Sequence, residues 1–488
     1  MKNKLTAILL ILALLLTGCG AAKGWGDAPQ DGTTAETAAD ATETEDEQKI
    51  IREIIAGKDL GGREFNIGWS IQYGFNEVAF TLEETAGDSI NEAVYERNRL
   101  AEEALNVKIK GTNICDWVDI LSTIQKMMNA GDCPYDAFCC SMWFMYLCSV
   151  NGYLYELNGI DSLGLDNEWW EGEKLEMYSL GSKSLYFVSG AINYLDDLSI
   201  SILLFNKVIC DNIGVEYPYQ MVRDGVWVLD RLFELATSYG SDVDGDGKYT
   251  TNDTYGFTEN AGVFNRLLAG SGEGVLKIAS DGSVTLNQSE KMMDVFLRMR
   301  NNLTAKSITT TVIADREIDN HKTNKMFRDG QILVGSDQVN SVFGLRQEME
   351  DDFGIIPSPK YDEAQTEYFD LYSTASGSCY AIPVTNTALE DTGLIMNVMG
   401  FYSQDTILPA VIDKNVLTKG TRDEESAEML ELIFTTKFYD LGQWGSDIYG
   451  SLCSLIISDK DNIASVMAKM ESKTQKQFAP IQQYYKFG

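Results

Sequence analysis

Strand-like and helix-like segments alternate along most of this 488-residue chain, and the alternation predicts an α/β protein with a parallel sheet covered by helices on both faces. Two further observations shape that expectation. Residues from about 50 onward have the mixed apolar and polar composition of a folded body, whose length predicts about two or three domains, and two lobes fit it. The stretch ahead of that body is almost without large apolar residues.

Each element has its own signal. Glu64-Phe65-Asn66-Ile67-Gly68-Trp69 reads as a first strand. A helix follows from about Ser89, with Ser89 and Glu92 spaced as a capping box and Ile90, Val94, Ala101 and Leu105 on one face. Val107-Lys108-Ile109 is a second strand, and Val118, Leu121, Ile124 and Met128 mark another amphipathic helix that stops before Gly131. Further strands are expected over Tyr135 to Cys140, Leu185 to Val188 and Ile200 to Phe205. Ligands of such sheets bind beyond the carboxyl ends of the strands, so the loops after these strands are where function is sought. No internal repeat is evident.

At the N-terminus, Lys2 and Lys4 precede an apolar run from Leu5 to Leu16 and the tetrapeptide Leu16-Thr17-Gly18-Cys19. The run is short for a bilayer, and small residues before a cysteine suit a lipoprotein signal peptidase. Residues 1–18 therefore read as a signal peptide and Cys19 as the lipidated first residue of the mature chain, since stable anchoring needs more than one acyl chain. Residues 19–49, rich in Ala, Thr, Asp and Glu, read as a disordered acidic tether.

The net charge is −34, and loss of Lys2 and Lys4 makes the mature chain two charges more negative. A polyanion would be repelled, so nucleic acid is excluded as a partner. The nine cysteines contain no CxxC pair and no metal-ligand spacing, and apart from Cys19 most read as buried thiols. The single histidine, His321, excludes multi-histidine metal sites and lies in a polar stretch that argues against a His-based triad, and no HExxH, P-loop or GxSxG string occurs. Carboxylate chemistry stays open, because a glycosidase needs only two placed acids and there are 73 acidic residues.

The segments Asp88 to Val107, Ala130 to Asn158, Leu203 to Lys207, Phe353 to Pro357 with Lys360 to Glu363, and Arg422 to Met429 follow one another in an order that resembles the extracellular solute-binding proteins of family 1. This group includes maltose-binding protein. The resemblance implies a two-lobed, periplasmic-binding-protein-like fold with three interlobe crossings and a ligand cleft that closes by a hinge. The crossings are expected near Ser199 to Phe205, Val334 to Asp337 and Tyr380 to Pro383. Lobe one then holds 50–200 and 336–383, and lobe two 201–335 and 384–488. The implied role is a monomeric, non-enzymatic capture of a mono- or oligosaccharide at the extracellular face of the cell membrane, lipid-anchored through Cys19, with delivery to ABC permease subunits. A surface sensor or adhesin for a glycan or peptide, or a carboxylate glycosidase, is the alternative.

Sugar rings stack their C–H faces on Trp and Tyr, and their hydroxyls need forked donors and acceptors. Candidates on loops at strand ends are Trp69, Tyr73, Trp143, Tyr146, Asn193, Asp196, Asp197, Asp337, Tyr372 and Trp444. Trp143 is the expected stacking platform and Asp196 or Asp197 the hydroxyl acceptor. Trp169, Trp170 and Trp227 lie beside charged helical stretches and read as structural. A separate motif runs from Asp242 to Asp253. Asp242, Asp244 and Asp246, the sharp-turn Gly247, the Lys248 carbonyl, Thr250 and Asp253 match the twelve-residue calcium loop, with Asp253 where glutamate is usual. Calcium is expected there in a structural role.

Overall fold

The protein is described by a computed structural model that covers residues 48–70, 89–259, 262–303, 309–311, 325–444, 446–457 and 463–488. The expected signal peptide, Cys19, Tyr73 and most of the tether lie outside the described residues. The last two tether residues belong to a helix over 48–55. The chain divides into a unit Met1–Arg52 and a unit Glu53–Gly488, and the second holds all the elements below.

Its first part runs β1 (Arg63–Ser70), α1 (Ser89–Leu105), β2 (Val107–Cys115), α2 (Ile120–Ala130), β3 (Ala137–Ser141), α3 (Met142–Ser149) and α4 (Gly172–Tyr178). Then come β4 (Ser201–Asn206), α5 (Leu229–Thr237), β5 (Gly240–Ser241), β6 (Thr254–Glu259), α6 (Val263–Gly270), the hairpin β7 (Leu276–Ile278) and β8 (Val284–Leu286), α7 (Glu290–Leu303) and β9 (Thr309–Thr311). The last part is β10 (Ile332–Gln338), α8 (Ser341–Glu348), β11 (Phe353–Ile356), β12 (Asp370–Leu371), β13 (Ser378–Ala381), α9 (Leu389–Asp405), a π-type helix (Pro409–Gly420), α10 (Glu424–Thr435), β14 (Lys437–Phe438), α11 (Ser446–Ile457) and α12 (Ile463–Phe478).

Two sheets organise two lobes. One has the order β13-β3-β1-β2, with β1 parallel to β2 and β3, and β13 antiparallel to β3. The other has the order β11-β4-β10-β6-β5, with β9 also on β6. Every residue of β4 is buried, as expected for a strand covered on both faces. The sheets are mixed and not purely parallel: β4 runs antiparallel to both β10 and β11. Helix α2 stops as expected, at a left-handed Gly131 whose N–H donates to Met128 O while Asp132 N–H donates to Met127 O. Val118 falls in the turn before α2 and is exposed.

Three expectations change. Leu185 to Val188 is no strand: it runs beside β13 with one bridge, Val188 to Tyr380. The segment 336–383 does not stay in lobe one, since β11 pairs with β4 in the second sheet, while α9, expected in lobe two, packs on α1. The middle crossing is not at Val334 to Asp337, which lies inside β10; the chain returns to the first sheet between β12 and β13. The first crossing falls at Leu198 to Ser201, at the start of the expected span Ser199 to Phe205, the rest of which lies in β4. There Ile200 O accepts Val339 N–H, Leu198 O accepts Asn340 N–H and Ser199 O accepts Ser373 N–H, so three chain segments are stitched together between the lobes.

Candidate functional site

A cavity of 440 Å³ lies between the lobes and takes walls from both. Lobe one gives Met142 at the start of α3, Met177 and Tyr178 at the end of α4, and Thr374 on the crossing segment. The other walls are Leu276 and Ile278 of β7 and the turn that follows β14, from the two small two-stranded sheets β7–β8 and β12–β14.

The walls are held by local chemistry. Asp440 fixes the turn after β14: one carboxylate oxygen accepts Gly442 N–H (2.8 Å) and the other accepts Val275 N–H (2.9 Å). Tyr439 in that turn stacks on the buried Tyr372, with ring centroids 4.7 Å apart, and meets Tyr178 edge-on at 6.0 Å. Thr374 is pinned by its backbone, its carbonyl accepting from Trp143 N–H (3.0 Å) and Ser141 Oγ (3.1 Å), and its own N–H donating to Gln443 Oε1 (3.3 Å).

Two hydroxyls on these walls stand out. Tyr178 and Thr374 are each 2% exposed, and neither hydroxyl has a hydrogen-bond partner among the described residues. A buried polar group without a partner costs on the order of 1–3 kcal/mol, so these two wall residues carry an unmet hydrogen-bonding demand next to the cavity. Burial pushes the Tyr178 phenol well above its ordinary range. It therefore stays protonated and able to donate.

The residues expected from sequence are distributed differently. Trp143 is half-buried on the first turn of α3, next to Met142 of the cavity wall. Tyr146, one turn on, is core and packs on Phe478. Trp69 is buried within the first sheet. Asn193 is fully engaged: its amide donates to Ser378 O (2.6 Å) and its oxygen accepts from Ser378 Oγ (3.1 Å) and Leu195 N–H (3.2 Å). Asp196 is buried and accepts from Ser189 Oγ (2.8 Å) and Asp197 N–H (2.9 Å), and Asp197 forms an ion pair with Lys437. These three brace the crossing, with Asp196 and Asp197 already accepting from neighbouring protein groups. Tyr372 is fully buried against Tyr439. Asp337 is half-buried at the end of β10, with one oxygen accepting Gln338 N–H (2.9 Å). Trp444 ends the turn Leu441–Trp444, which lies against α3. Trp169, Trp170 and Trp227 are buried, each with its indole N–H donating to Asn397 Oδ1, Leu163 O and Pro357 O respectively. Sequence reasoning missed Tyr178 and Thr374, which sit on a short helix and a crossing segment without any periodic signal.

The acidic loop is compact. Carboxylate oxygens of Asp242, Asp244 and Asp246 lie within 4.8 Å of one another, a spacing that one cation with oxygen ligands at about 2.3–2.6 Å can bridge. Asp242 accepts Gly245 and Gly247 N–H, both at 2.7 Å. Asp253 is turned inward instead: it accepts from Val243 N–H (2.8 Å) and Thr250 N–H (2.6 Å) and from Thr250 Oγ1 (3.2 Å). Against its burial, these bonds hold the Asp253 carboxyl below its usual range. Thr250 and Asp253 thus bond each other and stand apart from the three clustered acids. Seven described cysteines, Cys115, Cys133, Cys139, Cys140, Cys148, Cys210 and Cys379, are free thiols.

No family model matches the chain and no curated protein matches it. Among solved structures it is similar to an ABC substrate-binding protein from Listeria monocytogenes in complex with cycloalternan, with TM-score 0.57 and 13% identity over 86% of this chain and 99% of that one. It is also similar to the galacto-N-biose-/lacto-N-biose I-binding protein from Bifidobacterium longum in complex with lacto-N-biose (TM-score 0.54, 12% identity, 86% of this chain and 99% of that one). A third is a Mycobacterium tuberculosis protein, UgpB, in complex with glycerophosphocholine (TM-score 0.54, 15% identity, 87% and 98%). The chain therefore has the two-lobed α/β fold of ABC-transporter solute-binding proteins. Among the described residues no helix is long and apolar enough to cross a membrane.

Proposed function

We propose that this protein is a lipid-anchored extracellular solute-binding protein that captures a carbohydrate between its lobes and delivers it, unaltered, to an ABC importer. The observation that carries the reading is the cavity between the lobes, whose wall residues Tyr178 and Thr374 bear buried hydroxyls without a partner among the described residues. The ligands of two of the similar proteins, cycloalternan and lacto-N-biose, support a sugar. A guest that bonds both walls stabilises the closed arrangement by its differential affinity for it. Trp143, half-buried and next in the chain to Met142 of the wall, serves as the stacking surface.

A thermal-shift screen of sugars, polyols and peptides on the mature body tests this. The expected result is a raised melting temperature with at least one sugar, and a loss of about thirtyfold in affinity in the Trp143→Ala protein. Stabilisation by peptides alone, or steady appearance of cleaved sugar, overturns it.

We also propose that Asp242, Asp244 and Asp246 hold a structural calcium ion, with the Lys248 carbonyl as a further oxygen. An ion that binds only the native state raises its stability by mass action. Chelator should therefore lower the melting temperature of the wild type and leave Asp244→Ala unmoved. Superimposable wild-type curves with calcium and with chelator reject the site.

A further inference from the structure

We propose that the interlobe cavity receives an apolar substituent, so that the solute is a glycoside carrying an aryl or similar aglycone and not a bare sugar; this rests on the carbohydrate reading above. A bare sugar carries a hydroxyl on nearly every carbon, and each one buried without a partner is costly. The cavity does not offer that many partners. Its inner surface is built from Met142, Met177, Leu180, Leu276, Ile278 and Phe438. The Asp440 oxygens each already accept a backbone N–H, and Glu176 is solvent-exposed. Among the buried polar groups on the cavity's wall residues, the hydroxyls of Tyr178 and Thr374 have no hydrogen-bond partner among the described residues.

Size and chemistry agree. An apolar cavity of about 150 Å³ holds a benzene ring, and a water occupies about 30 Å³, so 440 Å³ accommodates an aryl group with its glycosidic linkage and is too large for a single bridging water. The aromatic faces of Tyr178, Tyr439 and Phe438 and the thioethers of Met142 and Met177 are groups that pack on a ring. One or two hydrogen bonds from Tyr178 and Thr374 then suit a glycosidic or phenolic oxygen.

Calorimetry on the mature protein with free sugars, their methyl glycosides, their phenyl glycosides and benzyl alcohol tests the proposal. The phenyl glycoside of a bound sugar is expected to bind at least about tenfold tighter than its methyl glycoside. The ratio should narrow in Ile278→Ser and in Tyr178→Phe. Tyr178→Phe should keep the wild-type melting temperature without ligand, because its hydroxyl has no hydrogen-bond partner among the described residues. Equal affinities for phenyl and methyl glycosides overturn this inference and leave the carbohydrate reading standing. Binding of benzyl alcohol with no sugar or glycoside bound keeps the apolar guest and overturns the carbohydrate reading. Absence of binding by every probe overturns both.

Discussion

Asp370 shows how one residue couples the crossing to pH. It is fully buried on β12, accepts from Ser358 N–H (2.7 Å) and Thr436 Oγ1 (2.9 Å), and burial pushes its carboxyl up to about 7 in spite of those bonds. In the unfolded chain the group titrates near the ordinary aspartate value of about 3.9. Between these values the folded protein holds a proton that the unfolded chain has lost, so this group's contribution to stability falls as pH rises through the window and is level above it. Melting curves from pH 5 to 7.5 should decline less in Asp370→Asn than in the wild type; equal slopes would show that Asp370 stays ionised. Single residues are also where the sequence was least legible. Asp196 and Asp197 carry the right chemistry for sugar hydroxyls, yet their oxygens are committed to Ser189, the backbone and Lys437. Composition cannot reveal such commitments, because they depend on which segment crosses beside them.

At the scale of elements, periodicity served well where one face is buried and badly where a segment is merely extended. Strand β1 and helix α1 fall where their apolar spacing puts them and α2 does so from Ile120 onward, leaving Val118 outside, but Leu185 to Val188 is apolar and extended without a ladder. Hydrophobicity reports burial and leaves hydrogen-bond pairing open. The contact of α5 with β6 is set by one glycine. A Cβ on Gly256 would run into the carbonyl oxygen of Ala236, so helix and strand approach through hydrogen alone. Gly256→Ala should destabilise by about 1–3 kcal/mol, the cost of overpacking, seen as a lower denaturation midpoint at unchanged slope. A midpoint within error of wild type would mean that α5 can move away freely.

Across the whole molecule, the chain crosses between the lobes and its end then reaches back. Beyond α12, Tyr485 shares a hydrogen bond with Ser149 (2.9 Å), Lys486 O accepts Lys183 N–H (2.8 Å), and Gln482 reaches Asp281 O (3.1 Å) beside the β7–β8 turn. The tail therefore touches both cavity-bearing parts, a long-range arrangement that no local sequence pattern predicts. The two-lobed plan itself was legible, since the ordered family-like segments span nearly the whole body, whereas the lobe boundaries were not, because β11 and α9 each join the lobe opposite to that expected from chain order. The proposed anchor belongs to this scale too: Cys19→Ser should free the protein from membrane fractions, and its retention after a high-salt wash would contradict lipidation. The central claim, a solute held between both lobes, is tested most directly by hydrogen exchange with and without the tightest-binding carbohydrate. Protection should rise together at 176–181, at 274–278 and at 438–440, on opposite walls of the one cavity. Protection confined to a single lobe, or found only at other surfaces, would contradict it.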